Sequence, residues 1–486
     1  MLRVLCTLLG VCLLSINSSA QVEGGTWSLQ EAISYALDHN ISIKQNVLNQ
    51  RLSKLTLRQS QLSQLPNVNA NSTLGRSYGR SVDPTSNQFV DGSSYDFLSL
   101  SGNVDVLVFG WFQRRNTIAQ NKFSLRAASA DLEQLKNDVS LNVATGYLRA
   151  LLAKEQVAIN EKQVSLSLAQ LKQTRQFAEA GRLPELNVAQ LESQLATDSS
   201  SLITAITNYN AAILDIKAIL NLDFEEPFDV YVPDVAIGEV INIAGLSPED
   251  IYIEALQHFG SIEGSEYRLK AAKKGFAASK SALLPKLSLG AQLGSNWSSN
   301  LKEFTGFTPT GTRATGDFVP IRVQAFNLDT LLPVFQQVGT FATRDVPLQQ
   351  QLDNNFRQTV TLNLNIPLFN GWQAQTAAKQ ARINVQTQEL NKYQAELKLK
   401  QDVYKAYNDA KNALQKYNAA NRAMVAATRA YDFAEKRYEL GLTNTIEYLT
   451  TQNNQFSAAA NFASAKYDLI FKLKVIDYYL GKEIKL

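Results

Sequence analysis

Between Phe97 and Phe109 the chain separates into two faces: Leu98, Leu100, Gly102, Val104, Val106 and Val108 alternate with Ser99, Ser101, Asn103 and Asp105. Further on, Val360, Leu362, Leu364, Ile366 and Leu368 alternate in the same way with Thr359, Thr361, Asn363 and Asn365. A period of two means a strand with one apolar and one polar face. The segments Val68, Ala70, Ser72, Leu74 and Leu287, Leu289, Ala291, Leu293 carry the same alternation. The expected strands are therefore about 66–76, 95–109, 285–294 and 356–369, one pair in each half of the chain. Each is about as long as the 9–11 residues that cross a bilayer in a barrel. A soluble sandwich would alternate likewise.

The rest of the pattern is helical. Residues 28–64 contain neither Pro nor Gly, and Pro66 ends the run by forcing Leu65 toward extended geometry; 247–283 is its counterpart, stopped at Pro285. From Phe112 to Ala180 and from Trp372 to Leu440 there is no proline, so each stretch would form a helix roughly 100 Å long. In the second, Tyr417, Ala420, Met424, Ala427, Tyr431, Ala434 and Tyr438 alternate spacings of three and four, the seam of a coiled coil. Gly181 and Gly441 break these helices, and new ones start at Pro184 and Asn444 and run to about Asn221 and Gly481. Each half thus ends in a long helical hairpin.

The halves are copies. A shift of 219 places Ala36-Leu37-Asp38-His39 on Ala255-Leu256-Gln257-His258 and Leu65-Pro66 on Leu284-Pro285. A shift of 260 places Phe109 on Phe369, Tyr147 on Tyr407, Gly181 on Gly441 and Ile216 on Ile476. The offsets differ by 41 residues, so the second copy carries one insertion between Gly294 and Phe369. The expected divisions are an export signal at 1–20, a first repeat at 21–221, a linker at 222–245 and a second repeat at 246–486. An enlarged loop occupies about 295–355, with an apolar stretch from Phe318 to Phe341.

Residues 1–20 have the basic start, apolar run and small-residue end of a secretory signal, with cleavage expected after Ala20. The only cysteines, Cys6 and Cys12, lie inside it. A chain matured there has no disulfide, thiolate nucleophile or zinc-cysteine site. Lipidation at Cys12 is disfavoured because Val11 before it is not small. With 47 Lys+Arg against 44 Asp+Glu, the net charge of +3 provides no field for nucleic acid. The two histidines, His39 and His258, fall at equivalent helix breaks without a neighbouring acidic cluster, which suits capping better than metal. No nucleophile-base pair, phosphate loop or catalytic carboxylate pair occurs, and neither an enzyme nor a cofactor is expected.

No segment after the signal has the roughly 20 apolar residues of a spanning helix, so bilayer entry would be by strands. Four strands cannot close a barrel, and an open edge in lipid leaves backbone groups unsatisfied; several chains must then pool their strands. Phe109, Trp111, Phe112, Phe369 and Trp372 stand where strand meets helix and suit an interfacial belt.

Over nearly the whole mature chain the sequence resembles the TolC-like outer-membrane efflux family. The resemblance rests on the duplicated helix-strand-strand-helix-helix order, the strand-to-helix phrases VLVFGWFQRRNTIAQNK and IPLFNGWQAQTAAKQAR, and the turns FAEAGRLPELNVAQLES and RYELGLTNTIEYLTTQN. It implies an α+β fold in which tandem-duplicated coiled-coil hairpins carry membrane β-hairpins. Three chains would form a 12-stranded β-barrel in the outer membrane of a Gram-negative cell, continued by an α-helical periplasmic tunnel.

On this resemblance the lipid-facing residues are Leu98, Leu100, Val104, Val106, Val360, Leu362, Leu364 and Ile366. The turns Gly181-Arg182-Leu183 and Gly441-Leu442-Thr443 would meet a periplasmic adaptor linked to an inner-membrane pump. Tyr438 and Glu447 match gate positions. The acidic gate position of the first turn is Asn187 here, and Thr443 stands where an arginine is often found; both tell against a gate-locking salt bridge. The implied function is passive export of small toxic compounds. The exit duct of a type I protein secretion system shares this architecture. A soluble periplasmic coiled-coil scaffold is the reading from a different class.

Overall fold

The computed structural model describes residues 25–79, 81–82, 89–90, 94–232, 245, 247–323, 328–482 and 484; the expected signal lies outside them. The described residues open with β1 (Thr26–Trp27), α1 (Leu29–His39) and α2 (Ile41–Leu62), followed by β2 (Asn67–Ser77), the short β3 (Ser81–Val82) and β4 (Phe89–Val90), and β5 (Tyr95–Phe109). Two long helices, α3 (Gln113–Glu179) and α4 (Glu185–Leu220), complete the first copy, and β6 (Asp229–Val230) lies in the linker. The second copy has α5 (Pro248–His258), α6 (Gly260–Lys280), β7 (Lys286–Ser298), β8 (Lys302–Val323), β9 (Leu328–Asp345), α7 (Leu348–Asn354), β10 (Arg357–Asn365), α8 (Gln373–Glu439) and α9 (Thr445–Tyr479). The duplication is visible residue for residue: α5 begins and ends 219 positions after α1, and α8 begins and ends 260 after α3.

Two compact units result. The sheet unit comprises 58–118 and 275–380. Its four-stranded antiparallel sheet has the order β10-β7-β5-β2, so the two strand pairs join through β5 and β7 while β2 and β10 remain edges. Cross-strand partners share a face, and the register lines up Val68, Val104, Ala291 and Val360 in one row and Asn69, Asn103, Gln292 and Thr359 in the next. The sheet therefore has one apolar and one polar side. Val108 drops out of the apolar side: β5 shifts register between Leu107 and Phe109, and Phe109 pairs with Leu287 instead.

At the strand-to-helix junctions Trp111 and Phe112 have φ of 51° and 62°, and their duplicates Gly371 and Trp372 have 62° and 63°. Left-handed backbone at a bulky residue costs about 1–2 kcal/mol. The Trp111 ring lies 5.3 Å from that of Phe109, and its carbonyl accepts the Ser281 hydroxyl at 2.8 Å, contacts that hold the strained turn.

The helical unit comprises 1–57, 119–274 and 381–486. Its larger core gathers Ala32 and Ala36 of α1, Val143, Tyr147 and Ala150 of α3, Ile216 and Leu220 of α4, and Val230. A second core repeats it with Ile251 and Ala255 of α5, Val403 and Ala410 of α8, and Ile476 of α9, all at duplicated positions. Alanine at so many facing positions lets helix axes approach closely. Ser28 and Ser247 start α1 and α5 with capping boxes completed by Glu31 and Asp250.

Several expectations are corrected. The helix expected over 28–64 is two helices, because Asn40 leaves helical geometry and its Oδ1 accepts the Ser42 amide at 2.9 Å, capping α2; Phe259 makes the same break between α5 and α6. The linker, expected to have little structure, contributes β6, which pairs in parallel with β1. Lys154 holds Asp229 of β6 at 2.8 Å, and the Tyr147 hydroxyl lies 2.8 Å from the carbonyls of Trp27 and Tyr231.

The loop expected at 295–355 is mostly ordered: β8 and β9 form a long hairpin, and α7 follows it. Its periodicity is hidden by shifts of register in β8 between Phe304 and Gly306, Pro309 and Gly311, and Ala314 and Phe318. Finally, β10 stops at Asn365, so Ile366, Leu368 and Phe369 lie beyond the strand; Pro367, lacking an N–H, cannot extend the ladder.

Candidate functional site

The long helices of each copy reverse at a glycine. Gly181 has φ of 71°; its N–H donates to Ala178 O at 2.9 Å and that of Arg182 to Phe177 O at 2.8 Å. Gly441 has φ of 69°, with the matching bonds to Tyr438 O at 3.0 Å and from Leu442 to Arg437 O at 2.8 Å. Both are Schellman closures, which require the left-handed residue that glycine supplies without penalty. A Cβ at either glycine would meet no other atom within 4 Å, so both tips are open. Arg182 lies over the Phe177 ring at 4.6 Å, Leu183 is half-buried and Leu442 is exposed. The Thr443 hydroxyl is buried with no hydrogen-bond partner among the described residues.

The residues matched to a gate separate into three environments. Tyr438 faces the first hairpin: its hydroxyl lies 3.2 Å from Oγ1 of Thr174 on α3 and 3.5 Å from Oγ1 of Thr445 on α9. Its ring stacks on Tyr448 at 4.5 Å and 14°. Glu447 is exposed; its amide is capped by Asn444 Oδ1 at 2.8 Å, and its carboxylate lies 3.6 Å from Arg437 within the same hairpin. Asn187 is half-buried in the first turn of α4, where its amide donates to Pro184 O at 3.0 Å. No described hydrogen bond joins it to Tyr438 or Glu447.

Tyr438 belongs to a larger buried network. Gln170 of α3 donates to the Tyr448 hydroxyl, and its Nε2 is 3.4 Å from that of Tyr431. The two tyrosine hydroxyls lie 3.1 Å apart, and Tyr431 donates to Glu435 at 2.9 Å. Burial pushes the Tyr431 phenol up to about 12, and burial pushes Tyr448 up further, so both stay neutral donors. Beside them on the first hairpin, Asp198 accepts from Ser167 at 2.5 Å and Gln194 at 2.8 Å.

Gln170, Thr174, Thr445 and Tyr448 are absent from the gate expected from sequence. A signal existed: Gln163, Ser167, Gln170 and Thr174 stand at spacings of four, three and four, all buried, forming a polar seam on α3 opposite the tyrosine seam. The seven seam residues Tyr417 to Tyr438 on α8 are all buried or half-buried in the single chain. The histidines are local: His39 stacks on Tyr35 at 4.0 Å, and His258 lies 3.1 Å from Glu254. Among the described residues no group of three His, Cys, Asp or Glu is placed to hold a metal.

Comparison with known proteins agrees with this architecture. Outer membrane protein TolC of Escherichia coli (strain K12) is 22% identical over 345 residues, 70% of this chain and 61% of TolC, so the matched region spans under two thirds of that relative. Toxin and drug export protein A of Aggregatibacter actinomycetemcomitans is 19% identical over 429 residues, 87% of this chain and 81% of that protein. The crystal structure of CusC, described with transmembrane channel formation, superposes with a TM-score of 0.74 at 15% identity, covering 94% of this chain and 92% of CusC. That likeness establishes the fold. Residues 32–222 and 327–481 match the family described as Outer membrane efflux protein, and the chain belongs to that family.

Proposed function

We propose that the protein is the outer-membrane channel of a tripartite efflux system, a homotrimer that passively conducts small toxic compounds. The observation that carries this is the four-stranded sheet. Its apolar side is laid bare along β2 and β10, with Val68, Leu74, Val360, Leu362 and Leu364 all exposed, and among the described residues both edges lack a partner strand. A soluble scaffold would cover such a face. Lipid against the apolar side and neighbouring chains against the edges satisfy both requirements, and three chains would pool twelve strands into a closed barrel. The polar side, with Asn69, Asn103, Gln292 and Thr359 in one row, then lines a wet lumen.

In this reading Leu98, Leu100, Val104 and Val106 join that lipid face, and Ile366 lies at its margin. The long helices form a periplasmic tunnel. The turns Gly181-Arg182-Leu183 and Gly441-Leu442-Thr443 receive the adaptor, which links the channel to an inner-membrane pump. Tyr438 holds the tunnel closed, and exposed Glu447 gives its end a preference for cations. The channel itself catalyses nothing. The relative described as a toxin and drug export protein supports a second reading, the exit duct for secreted proteins.

The experiment is twofold. In detergent the purified chain should have the mass of a trimer, and a stable monomer without detergent would overturn the channel. Deleting the gene should raise sensitivity to small toxic compounds and leave the secreted proteome unchanged; the reverse result selects the secretion duct.

A further inference from the structure

The β8–β9 hairpin is far longer than a barrel connection needs. Its strands have 22 and 18 residues, about 60–70 Å of extended chain against a bilayer core of about 30 Å. It pairs with no other described strand, and a two-stranded ribbon alone is marginal in water. Something must cover it.

Its edges are unsuited to strand addition. Pro309, Pro320 and Pro333 lack the N–H that a new strand would need, and the three shifts of register bend β8 along its length. Its faces differ. Along β9, Leu331, Phe335 and Phe341 fall on one side, and the register places Phe304, Phe307 and Phe318 of β8 on that same side. All six are exposed. The Phe341 ring lies 5.4 Å from Phe304 and 5.0 Å from Phe307, so the row is already a contiguous surface. Its paired charges lie at the ends, Lys302 with Asp345 at the root and Arg322 with Asp329 at the tip, each 3.9 Å apart, while Asp317 stands in the register shift between Ala314 and Phe318. Arg313 and the Glu303–Arg344 pair face the other way.

The root is fixed. Gln351 of α7, almost wholly buried, accepts from Ser298 N at 2.9 Å and donates to Ser298 O at 2.9 Å and Val346 O at 2.8 Å. Ser299, just before β8, is tied to Asp96 of β5. The hairpin thus leaves the sheet from β7 and returns beside β10, the strand with an open edge. In the trimer of the proposed function, on which this step rests, that edge is the boundary between subunits.

We infer that the aromatic face of β8–β9 is a second subunit interface, on which the hairpins of the three copies pack against one another beyond the barrel. The occupant is a copy of this same chain. The hairpin is rooted between β7 and β10, one strand from the edge that neighbouring subunits would share in that trimer, and an aromatic middle with opposite charges paired at its ends meets its copies without net like-charge repulsion. Tail lipid can cover no more than about half of a ribbon this long.

Single cysteines test this in the full-length trimer, since the only native ones, Cys6 and Cys12, lie in the expected signal. Phe335→Cys and Phe341→Cys report on the aromatic face, Gln336→Cys and Thr340→Cys on the opposite one. After oxidation, the first two should yield several-fold more covalent dimer than the second two. Equal or absent cross-linking in a preparation whose native mass is still a trimer overturns the inference alone. Loss of the trimer in the unsubstituted chain overturns the channel reading and the inference with it. A fluorophore on Phe335→Cys that brominated lipid quenches would show lipid on this face and also overturn the inference. As a second variant, replacing 302–345 by a short Gly-Ser turn should leave a trimer that dissociates at lower temperature; an unchanged temperature counts against the interface.

Discussion

The Tyr438 hydroxyl lies 3.2 Å from Oγ1 of Thr174, joining the second helical hairpin to the first through two groups that carry no charge. Gln170 with Tyr431 and Tyr448 repeats the arrangement deeper in the bundle. The nearby ion pairs, Arg175–Glu192 and Arg437–Glu447, stay within one hairpin each.

On the proposed gating, a latch made of these neutral contacts should respond to mutation but not to salt. Each such hydrogen bond has a net worth of about 0.5–1.5 kcal/mol, so Tyr438→Phe combined with Gln170→Leu should raise closed-channel conductance in planar bilayers. Conductance of the unsubstituted channel, normalised to the bulk solution, should stay constant from about 0.1 to 1 M salt, because screening acts on charges. Salt-induced opening would place the latch elsewhere.

Alkali should open it. The Tyr431 phenol is held above its ordinary value by burial, so the latch is complete below about pH 10 and is lost as pH rises toward about 12. Conductance should be flat from about pH 7 to 9 and climb above that, and Tyr431→Phe should alter the climb. An opening centred near neutral pH would contradict the assignment.

Arginine on the apolar side of the sheet should impair assembly. At a barrel midplane it costs roughly 2–4 kcal/mol. Val104→Arg and Leu364→Arg should therefore reduce trimer in the outer membrane more than Asn103→Arg or Asn363→Arg, as read by unheated gel electrophoresis. Equal losses would reject the facing.

The tips should tolerate strain better than obstruction. Gly181→Ala and Gly441→Ala place a methyl in open space at a cost of about 1 kcal/mol in backbone conformation, and export should survive. Gly181→Trp with Gly441→Trp should abolish export while the trimer remains in the membrane. Export retained by the double tryptophan variant would move the adaptor site.

Glu447→Gln should lower cation selectivity, measured as reversal potential in a salt gradient, without a large change in conductance. Among the described residues the exposed carboxylate is paired with Arg437, 3.6 Å away.

Strong periodicity made much of this fold legible. The alternation around Val104 and Leu364, the proline-free runs and the duplicated glycines fixed the strands, the two 67-residue helices and their turns. What escaped depended on single residues or on irregular repeats: the Asn40 side chain that caps the helix after the break beside His39, the bulge at Val108, and the β8–β9 hairpin, whose glycines and prolines disguise a strand as a loop. The latch was half visible. Tyr438 and Tyr431 stood in an apolar seam, but their partners Thr174 and Gln170 come from the other copy, and polar seam residues give no hydrophobic signal.

The Gln351 clamp has a wider implication. Closing an excursion of more than forty residues normally costs entropy that grows with its length, though slowly. Here one amide side chain bonds both Ser298, where the excursion leaves, and Val346, where it returns. To the four-stranded sheet, the whole hairpin therefore has the footprint of a short turn. Its length and sequence can diverge without disturbing the register of β7 and β10. The same insulation makes this rim a natural graft site, where a foreign peptide or a small folded module could replace 302–345 and be displayed on the barrel.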